Sequence, residues 1–546
     1  MTKRIVSMVL AVVIVCLSMC CGVSAETLTQ RYPTGLLPSE SGKVSSLFSV
    51  DSTFMKGYND FVFSKSKGND RSSRGVFPDE IDLSTDIYFP PIVNQRGASC
   101  SSYSTTYYQF TYAKNELLGT NANSTNNRCS PAWTYSHLNY NDMNQFTSFE
   151  ANYNILKTLG APSCAEVPIS TDYYFTNWST SVQMRRNALE VRLKDYYNSS
   201  IDTASSPITS YDDSDLYTIK YLLCNGYVLV TSTLVTSNAS NYTYGNSPEF
   251  GKIVYRASNS GTGHALTIVG YNDWVCFDVN GNGTIEDCEY GAFKVANSWG
   301  EDWGNDGYIW VLYDALNSVS QIPTFDESDF PGNRTAIFDY GFTEGENVFY
   351  YINVVDTKPM FLGEISINTD DRSTLSSTFM YLLKDEMGDE TSVSIPSPYG
   401  YKNGSIPYNG PLVIAFNNIP IDSVDDDRSL LTYINLFINN QVDTATVSYR
   451  ITDNLGNVIY EHTNGNNDEW TITRTDRLSV NKNFVLSQRG DVDFDGLITN
   501  SDAQLVLGYV VGSQVLSNAQ LYFADYTKDG TVNATDALEI KKNLTA

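Results

Sequence analysis

The chain has 546 residues, too many for one hydrophobic core, so three or four domains are expected. Its formal charge of −27 at pH 7 excludes binding to nucleic acid or to an anionic membrane through bulk charge. With 38 tyrosines and 18% charged residues, the composition describes an extracellular, interaction-prone surface and not a disordered chain.

Lys3 and Arg4 precede an apolar run from Ile5 to Leu17, and Val23, Ser24 and Ala25 stand before Glu26. This reads as a cleaved signal peptide over residues 1–25, and hence a secreted protein; acylation at Cys20 or Cys21 is the weaker alternative. Once it is removed, no run of ~18 apolar residues remains, so no transmembrane segment is expected. Residues 26–75 are polar and weakly periodic, ending in SKSKGNDRSSRG. They read as a loose N-terminal extension or a short pro-segment cleaved near Arg71 or Arg74. Cys16, Cys20 and Cys21 leave with the signal, and Cys100, Cys129, Cys164, Cys224, Cys276 and Cys288 remain. Cys276 and Cys288 bracket a compact loop and form the favoured bridge, with buried thiols as the alternative.

Residues 76–338 read as a mixed α and β domain. Ser99 is placed to cap a helix from Cys100 to Leu118 that ends at Gly119. Its many Tyr and Thr residues are poor helix formers, so burial must hold it. SPAWTYSHLNY and NYNILKTLGAPS read as further helices, and DLYTIKYLLCNGYVLVTSTLV as a helix running into a buried strand. Within this domain Cys100, His264 (in GHALTIVGY) and Asn297 (in FKVANSWG) occur in that order. A cysteine at a helix N-terminus meets the positive end of the helix dipole, which favours its thiolate, the nucleophilic form. An imidazole beside it serves as base, and an amide accepting the second ring N–H fixes the imidazole. The chain has only three histidines, and neither His137 nor His462 has such a context.

These words resemble the papain-like (C1) cysteine peptidases over residues 80 to 315, their bacterial secreted branch more closely. VNQRGASCSSYS is similar to the nucleophile motif, GHALTIVGY to the histidine motif and NSWGEDWGNDGY to the asparagine motif. The resemblance implies a peptidase acting on protein or peptide substrates. Cys100 would be the nucleophile, His264 the acid and base, Asn297 the orienting amide, Gln95 an oxyanion donor and Trp299 a shield over the His264–Asn297 pair. Three positions depart from the family. Gln95 stands one residue closer to the nucleophile, Arg96 replaces a glycine, and Ser101 replaces the usual tryptophan. His264 and Asn297 also follow Cys100 at more than the usual ~130–150 residues, so insertions are expected. A catalytically silent binding subunit of the same fold is the alternative.

One insertion has the sequence of a calcium loop. Asp278, Asn280, Asn282, Thr284, Glu286 and Glu289 occupy positions 1, 3, 5, 7, 9 and 12 of D-x-[DN]-x-[DN]-G-x5-E, with Gly283 at the turn. Calcium here would be structural, pinning the two strands that carry His264 and Asn297; a metal-free acidic hairpin is the alternative.

From 339 to 480 the chain changes to short alternating runs separated by turn residues: NVFYYINVV, LGEISINT, STFMYLL, LVIAFNN, TYINLFIN, ATVSYRIT, NVIYEHT and EWTITRT. That spacing predicts an all-β sandwich-like domain, taken as a spacer, with substrate or surface binding as the alternative. The tail, 488–546, repeats one unit, DVDFDGLITNSDA at 491 and DYTKDGTVNATDA at 525. Asp491, Asp493, Asp495, Leu497, Thr499 and Asp502 form one set of oxygen ligands, and Asp525, Thr527, Asp529, Thr531, Asn533 and Asp536 the other. Helix-like runs follow both. The tail resembles a dockerin, a small α-helical calcium-binding module that plugs cellulosomal proteins into the cohesins of a scaffoldin. In dockerins the partner is selected at positions matching Asn500, Ser501, Leu507 and Gly508 in one copy and Ala534, Thr535, Lys541 and Lys542 in the other. The expected architecture is an α+β papain-like peptidase domain, a β-sandwich-like domain and a dockerin.

Overall fold

The computed structural model describes residues 77–316 apart from 140–141, 177–180, 203–213, 236–242, 257–261, 280 and 287–288. It also describes a series of strands between 346 and 485, and residues 489–544 apart from 496. The expected signal and the 26–75 segment lie outside these residues, as does Cys288 of the expected bridge.

The first body joins helices to a nine-stranded sheet. Strand β1 (Glu80–Asp82) leads into helix α1, which is α-helical over Cys100–Ser102, widens to π-helical turns over Tyr103–Phe110 and returns to α geometry over Thr111–Leu118. Burial holds this helix, as its composition requires. Tyr103, Tyr107, Tyr108, Phe110 and Tyr112 are all buried, each contributing about 2 kcal/mol of apolar transfer. Most of their hydroxyls find partners: Tyr107 donates to the Pro91 carbonyl, Tyr108 to the Asn297 carbonyl and Tyr112 to Asp86. The helix stops at Gly119, whose φ of 64° is left-handed. Ser99 does stand at the N-cap position, but its hydroxyl donates to the Arg96 carbonyl at 2.6 Å and makes no cap bond.

Helices α2 (Pro131–Leu138), α3 (Phe149–Leu159), α4 (Tyr173–Thr176), α5 (Val182–Ala188) and α6 (Ser214–Cys224) follow. The sheet contains β2 (Val191–Asp202), β3 (Leu229–Val235), β4 (Thr243–Ser247), β5 (Gly251–Arg256), β6 (Thr262–Cys276), β7 (Tyr290–Ala296), β8 (Tyr308–Leu312) and β9 (Glu346–Asp356). Their order is β2-β9-β3-β6-β7-β8-β5-β4, with β1 on β6, and only β5 with β8 is parallel. The long β6 thus lies between β3 and β7 at the centre, with Ala265, Leu266, Ile268 and Val269 buried. Strand β9 is the NVFYYINVV run expected in the sandwich. It pairs instead with β2 and β3, because Phe349, Tyr350 and Ile352 complete the core of this first sheet.

Beyond it are two antiparallel sheets. One has β10 (Phe361–Thr369) between β13 (Tyr408–Ala415) and β15 (Thr444–Asp453), with β16 (Val458–Glu461) and β17 (Trp470–Thr473) on β15. The other is ordered β12 (Glu390–Ile395), β11 (Leu375–Lys384), β14 (Ser429–Ile438), β18 (Arg477–Val485). The chain ends in helices α7 (Asn500–Val510), α8 (Asn518–Ala524) and α9 (Ala534–Lys542) around a small core of Val492, Val506, Ala537 and Ile540. Among the described residues no helix is long and apolar enough to cross a membrane.

Candidate active site and calcium loops

Cys100 opens α1, is fully buried, and its helical turn packs against β6, the strand that carries His264. His264 faces Thr233 of β3 in register, and Asn297 follows directly on β7. The Asn297 backbone is held on both sides: its N–H donates to the Gly307 carbonyl, and its carbonyl accepts from Tyr108.

His264 Nε2 lies 2.9 Å from Asn297 Oδ1, and the Ser298 N–H donates to that same oxygen at 2.7 Å. A backbone N–H demands an acceptor, so the atom facing Nε2 is the amide oxygen and Nε2 carries the proton. The ring lone pair is therefore on Nδ1, which is buried and receives no hydrogen bond from the described residues. Burial pulls the His264 pKa down to about 4, the Asn297 bond opposing it only in part, so the ring is neutral at neutral pH. Trp299 is buried and stacked on the imidazole.

Gln95 reaches this site through a short antiparallel bridge between Asn94 and Trp299. Its N–H donates to the Ser298 carbonyl, and its Oε1 accepts from Ser298 Oγ at 2.6 Å. Its Nε2 donates to the Gly97 carbonyl at 2.9 Å, leaving the second amide hydrogen for another acceptor. Ser298 is thus a site residue that motif reading passed over, although the word NSWG contains it. Ser101, in the usual tryptophan position, bonds to Thr147 Oγ1 within a buried network that includes Asn152 and Ser102.

The three acidic loops share one backbone pattern. Position 4 is left-handed in each, at Gly281 (φ 66°), Phe494 (φ 62°) and Lys528 (φ 60°), and position 6 is left-handed at Gly283 and Gly530. In the first loop Asp278 accepts from the N–H groups of Asn282 and Gly283, just as Asp525 accepts from Asp529 and Gly530 in the third. The position-12 carboxylate reaches back to the loop start in all three. Glu289 accepts from Val279 and Glu286, Asp502 from Val492, Asp493 and Thr499, and Asp536 from Thr527 and Asn533. Asn282 Oδ1 and Asp529 Oδ1 each accept from the residue at position 7, Thr284 and Thr531, and Leu497 donates likewise to Asp495. Asp491, Asp493 and Asp502 bring carboxylate oxygens within 4.8 Å of one another, a hard-oxygen set that fits calcium. Burial, helped by the Glu286 bond, pushes the Glu289 carboxyl up to about 7. Asn280 lies outside the described residues.

A Cys-bearing helix packed on a mixed sheet, with His on a central strand and Asn just past the end of its neighbour, defines a papain-like α+β fold. Residues 108–323 match the model of the papain family cysteine protease and residues 489–545 that of the dockerin type I domain. The first match contains His264 and Asn297 and begins after Gln95 and Cys100. The chain is therefore a papain-like cysteine peptidase that carries a type I dockerin. Similar solved structures include xylellain, a cysteine protease from Xylella fastidiosa (17% identity, 60% of this chain, 97% of that one, TM-score 0.36). Another is the bromelain protease from Ananas comosus in complex with the E64 inhibitor (15%, 50% and 99%, TM-score 0.33). No curated protein matches the chain.

Proposed function

We propose that the protein is a secreted cysteine endopeptidase, with Cys100 as nucleophile, His264 as acid and base, and Asn297 as the amide that orients the ring. The single observation that carries this reading is the pair of bonds to Asn297 Oδ1, from His264 and from the Ser298 N–H, which leaves the His264 lone pair on Nδ1. Cys100 gives its proton to Nδ1 and its sulfur attacks the peptide carbonyl. The Cys100 N–H and the Gln95 amide hold the oxyanion, at about 3 kcal/mol per donor. His264 then passes the proton to the leaving amine as the C–N bond breaks, giving a thioester. Water, deprotonated by His264, cleaves the thioester and restores the thiol.

The dockerin anchors the enzyme to a cohesin on a scaffoldin, outside the cell or at its surface, and the two antiparallel sheets form a sandwich-like spacer. Calcium is held by the two dockerin loops and by the 278–289 loop, whose donor set and bonding repeat theirs. It is structural in all three. The N-terminal charge and apolar pattern of residues 1–25 supports export by a cleaved signal.

The test is labelling of the full-length protein with an epoxysuccinyl thiol-protease inhibitor, read by peptide mapping, together with casein cleavage by wild type and Cys100→Ala. Label on Cys100 and loss of cleavage in the variant are expected. Cleavage surviving in Cys100→Ala would refute Cys100 as the nucleophile, and no label on an inactive wild type would replace this reading with the silent binding subunit.

A further inference from the structure

Arg96 follows Gln95 directly, yet its guanidinium is fastened to a segment far along the chain. Nε donates to the Ile169 carbonyl at 3.0 Å, Nη2 to the Ser170 carbonyl at 2.6 Å, and Nη1 to Asp172 Oδ1 at 2.8 Å. The ion pair alone is weak, since the Asp172 side chain is 65% exposed. The two carbonyl contacts matter more, because the segment they belong to is anchored from behind. Three residues past Asp172, the Phe175 carbonyl accepts from Asn139, and its fully buried ring stacks on Tyr103 with centroids 6.2 Å apart. Tyr103 lies one turn after Cys100 on the same helix. The guanidinium therefore grips the layer on which the nucleophile's helix rests.

On its other side, the loop Gln95–Ser99 has little freedom. The Arg96 carbonyl accepts from Ser99 Oγ, and Ala98 N–H donates to the Met143 carbonyl at 2.7 Å. Gly97 is left-handed at φ 58°, and a Cβ there would come within 2.3 Å of that carbonyl oxygen. Two carbonyls and a carboxylate suit the rigid five-donor fork of arginine and not the point charge of lysine.

We infer that Arg96 is a positioning residue for Gln95. Its clamp on Ile169, Ser170 and Asp172 holds the short loop that presents the Gln95 amide to the developing oxyanion. The inference rests on the functional reading above. An oxyanion donor displaced by even 1 Å loses much of its effect, so a side chain that never touches substrate controls the chemical step.

The test compares wild type, Arg96→Ala, Arg96→Lys, Gln95→Ala and Gln95→Ala with Arg96→Ala. Each is assayed for peptide hydrolysis and for alkylation of Cys100 by iodoacetamide, a displacement that forms no oxyanion. Arg96→Ala is expected to lower kcat about 10- to 100-fold, with KM changed less than about threefold and alkylation less than about twofold. Arg96→Lys restores only part of the loss and carries the test should the alanine variant not fold. In the Gln95→Ala background the Arg96→Ala change costs less than about twofold, because the two act through one donor. An Arg96→Ala enzyme with wild-type kcat, a full multiplicative loss in that background, or a parallel fall in alkylation would overturn the inference while the functional reading stands. An inactive wild type would overturn both.

Discussion

Trp299 lies over His264 with ring centroids 4.4 Å apart and planes 22° from parallel, and Trp303 meets Trp299 edge-on at 5.4 Å. The indole closes the His264–Asn297 hydrogen bond against water, and a bond in a dry site is stronger and more directional than one in solvent. Trp299→Ala should let the ring rotate and solvent enter. We expect kcat/KM for a peptide substrate to fall about 10- to 100-fold, and Asn297→Ala to fall further, by about 10²-fold or more. The double variant should lose little beyond Asn297→Ala, because both act on the orientation of one imidazole. Independent, multiplicative losses in steady-state kinetics would refute a shared role.

The buried imidazole also sets a pH dependence of stability. His264 has a folded pKa of about 4 against an ordinary value of 6.5, so the folded state binds fewer protons than the unfolded chain in between. Above 6.5 the ring is neutral in both states and its burial adds no pH-dependent term. As pH falls from 6.5 to 4 the unfolded chain is charged and favoured, by on the order of 2 kcal/mol at pH 4.5. His264→Gln should flatten this part of the curve of unfolding free energy against pH, and Trp299→Ala should flatten it in part by rehydrating the ring. Identical acid slopes in wild type and His264→Gln would show that the ring is not held neutral by burial.

Calcium is expected to act on two separate places. Occupied at a hundredfold excess over Kd, a site that exists only in the folded state adds about 2.7 kcal/mol. Hydrogen exchange should show calcium protecting peptides of the β6–β7 region and, separately, those of residues 489–544. Glu289→Ala should abolish the first protection and spare the second, because Glu289 Oε1 and Oε2 tie Val279 and Glu286 into the loop between those strands. Asp502→Ala should spare the first and remove the part of the second that belongs to the 491–502 loop. Protection of the dockerin alone would mean that the 278–289 loop closes without metal.

Much of this was legible in the linear chain because local chemistry carried it. The end of α1 at Gly119, helices at SPAWTYSHL and in the NILKTL run, and the loop-then-helix repeat of the tail follow from caps, periodicity and ligand spacing. The pairing of His264 with Asn297 was written in two specific words. The remainder depends on contacts between distant segments. Alternation marked Glu346–Asp356 as a strand, but period two does not say which sheet takes it, and the aromatic residues Phe349 and Tyr350 joined the nearer core. The bridge that brings Gln95 to Ser298 is too short to have a period. The hydroxyl of Ser99 had two acceptable partners, and only the fold decided for the Arg96 carbonyl over a helix cap.

Glu364 on β10 links the helical layer of the peptidase body to the first of the two antiparallel sheets. Its side chain is 5% exposed, and its carboxylate accepts from Arg186 of α5, from Thr452 Oγ1 at 3.1 Å and from Arg450 Nε at 2.5 Å. Arg186 belongs to that helical layer and is itself mostly buried, whereas Arg450 is half-exposed. Removing the carboxylate strands a buried guanidinium, a loss of about 3–5 kcal/mol when such a pair is broken from one side. We therefore expect Glu364→Ala to be the more damaging single change, Arg450→Ala to cost under about 1 kcal/mol as a solvated pair, and Arg186→Met with Glu364→Leu to recover most of the loss. Denaturant unfolding, combined with limited proteolysis between residues 346 and 361, would measure this. A Glu364→Ala protein within about 1 kcal/mol of wild type would show that water reaches Arg186 and that the junction between the helical layer and this sheet does not depend on the pair.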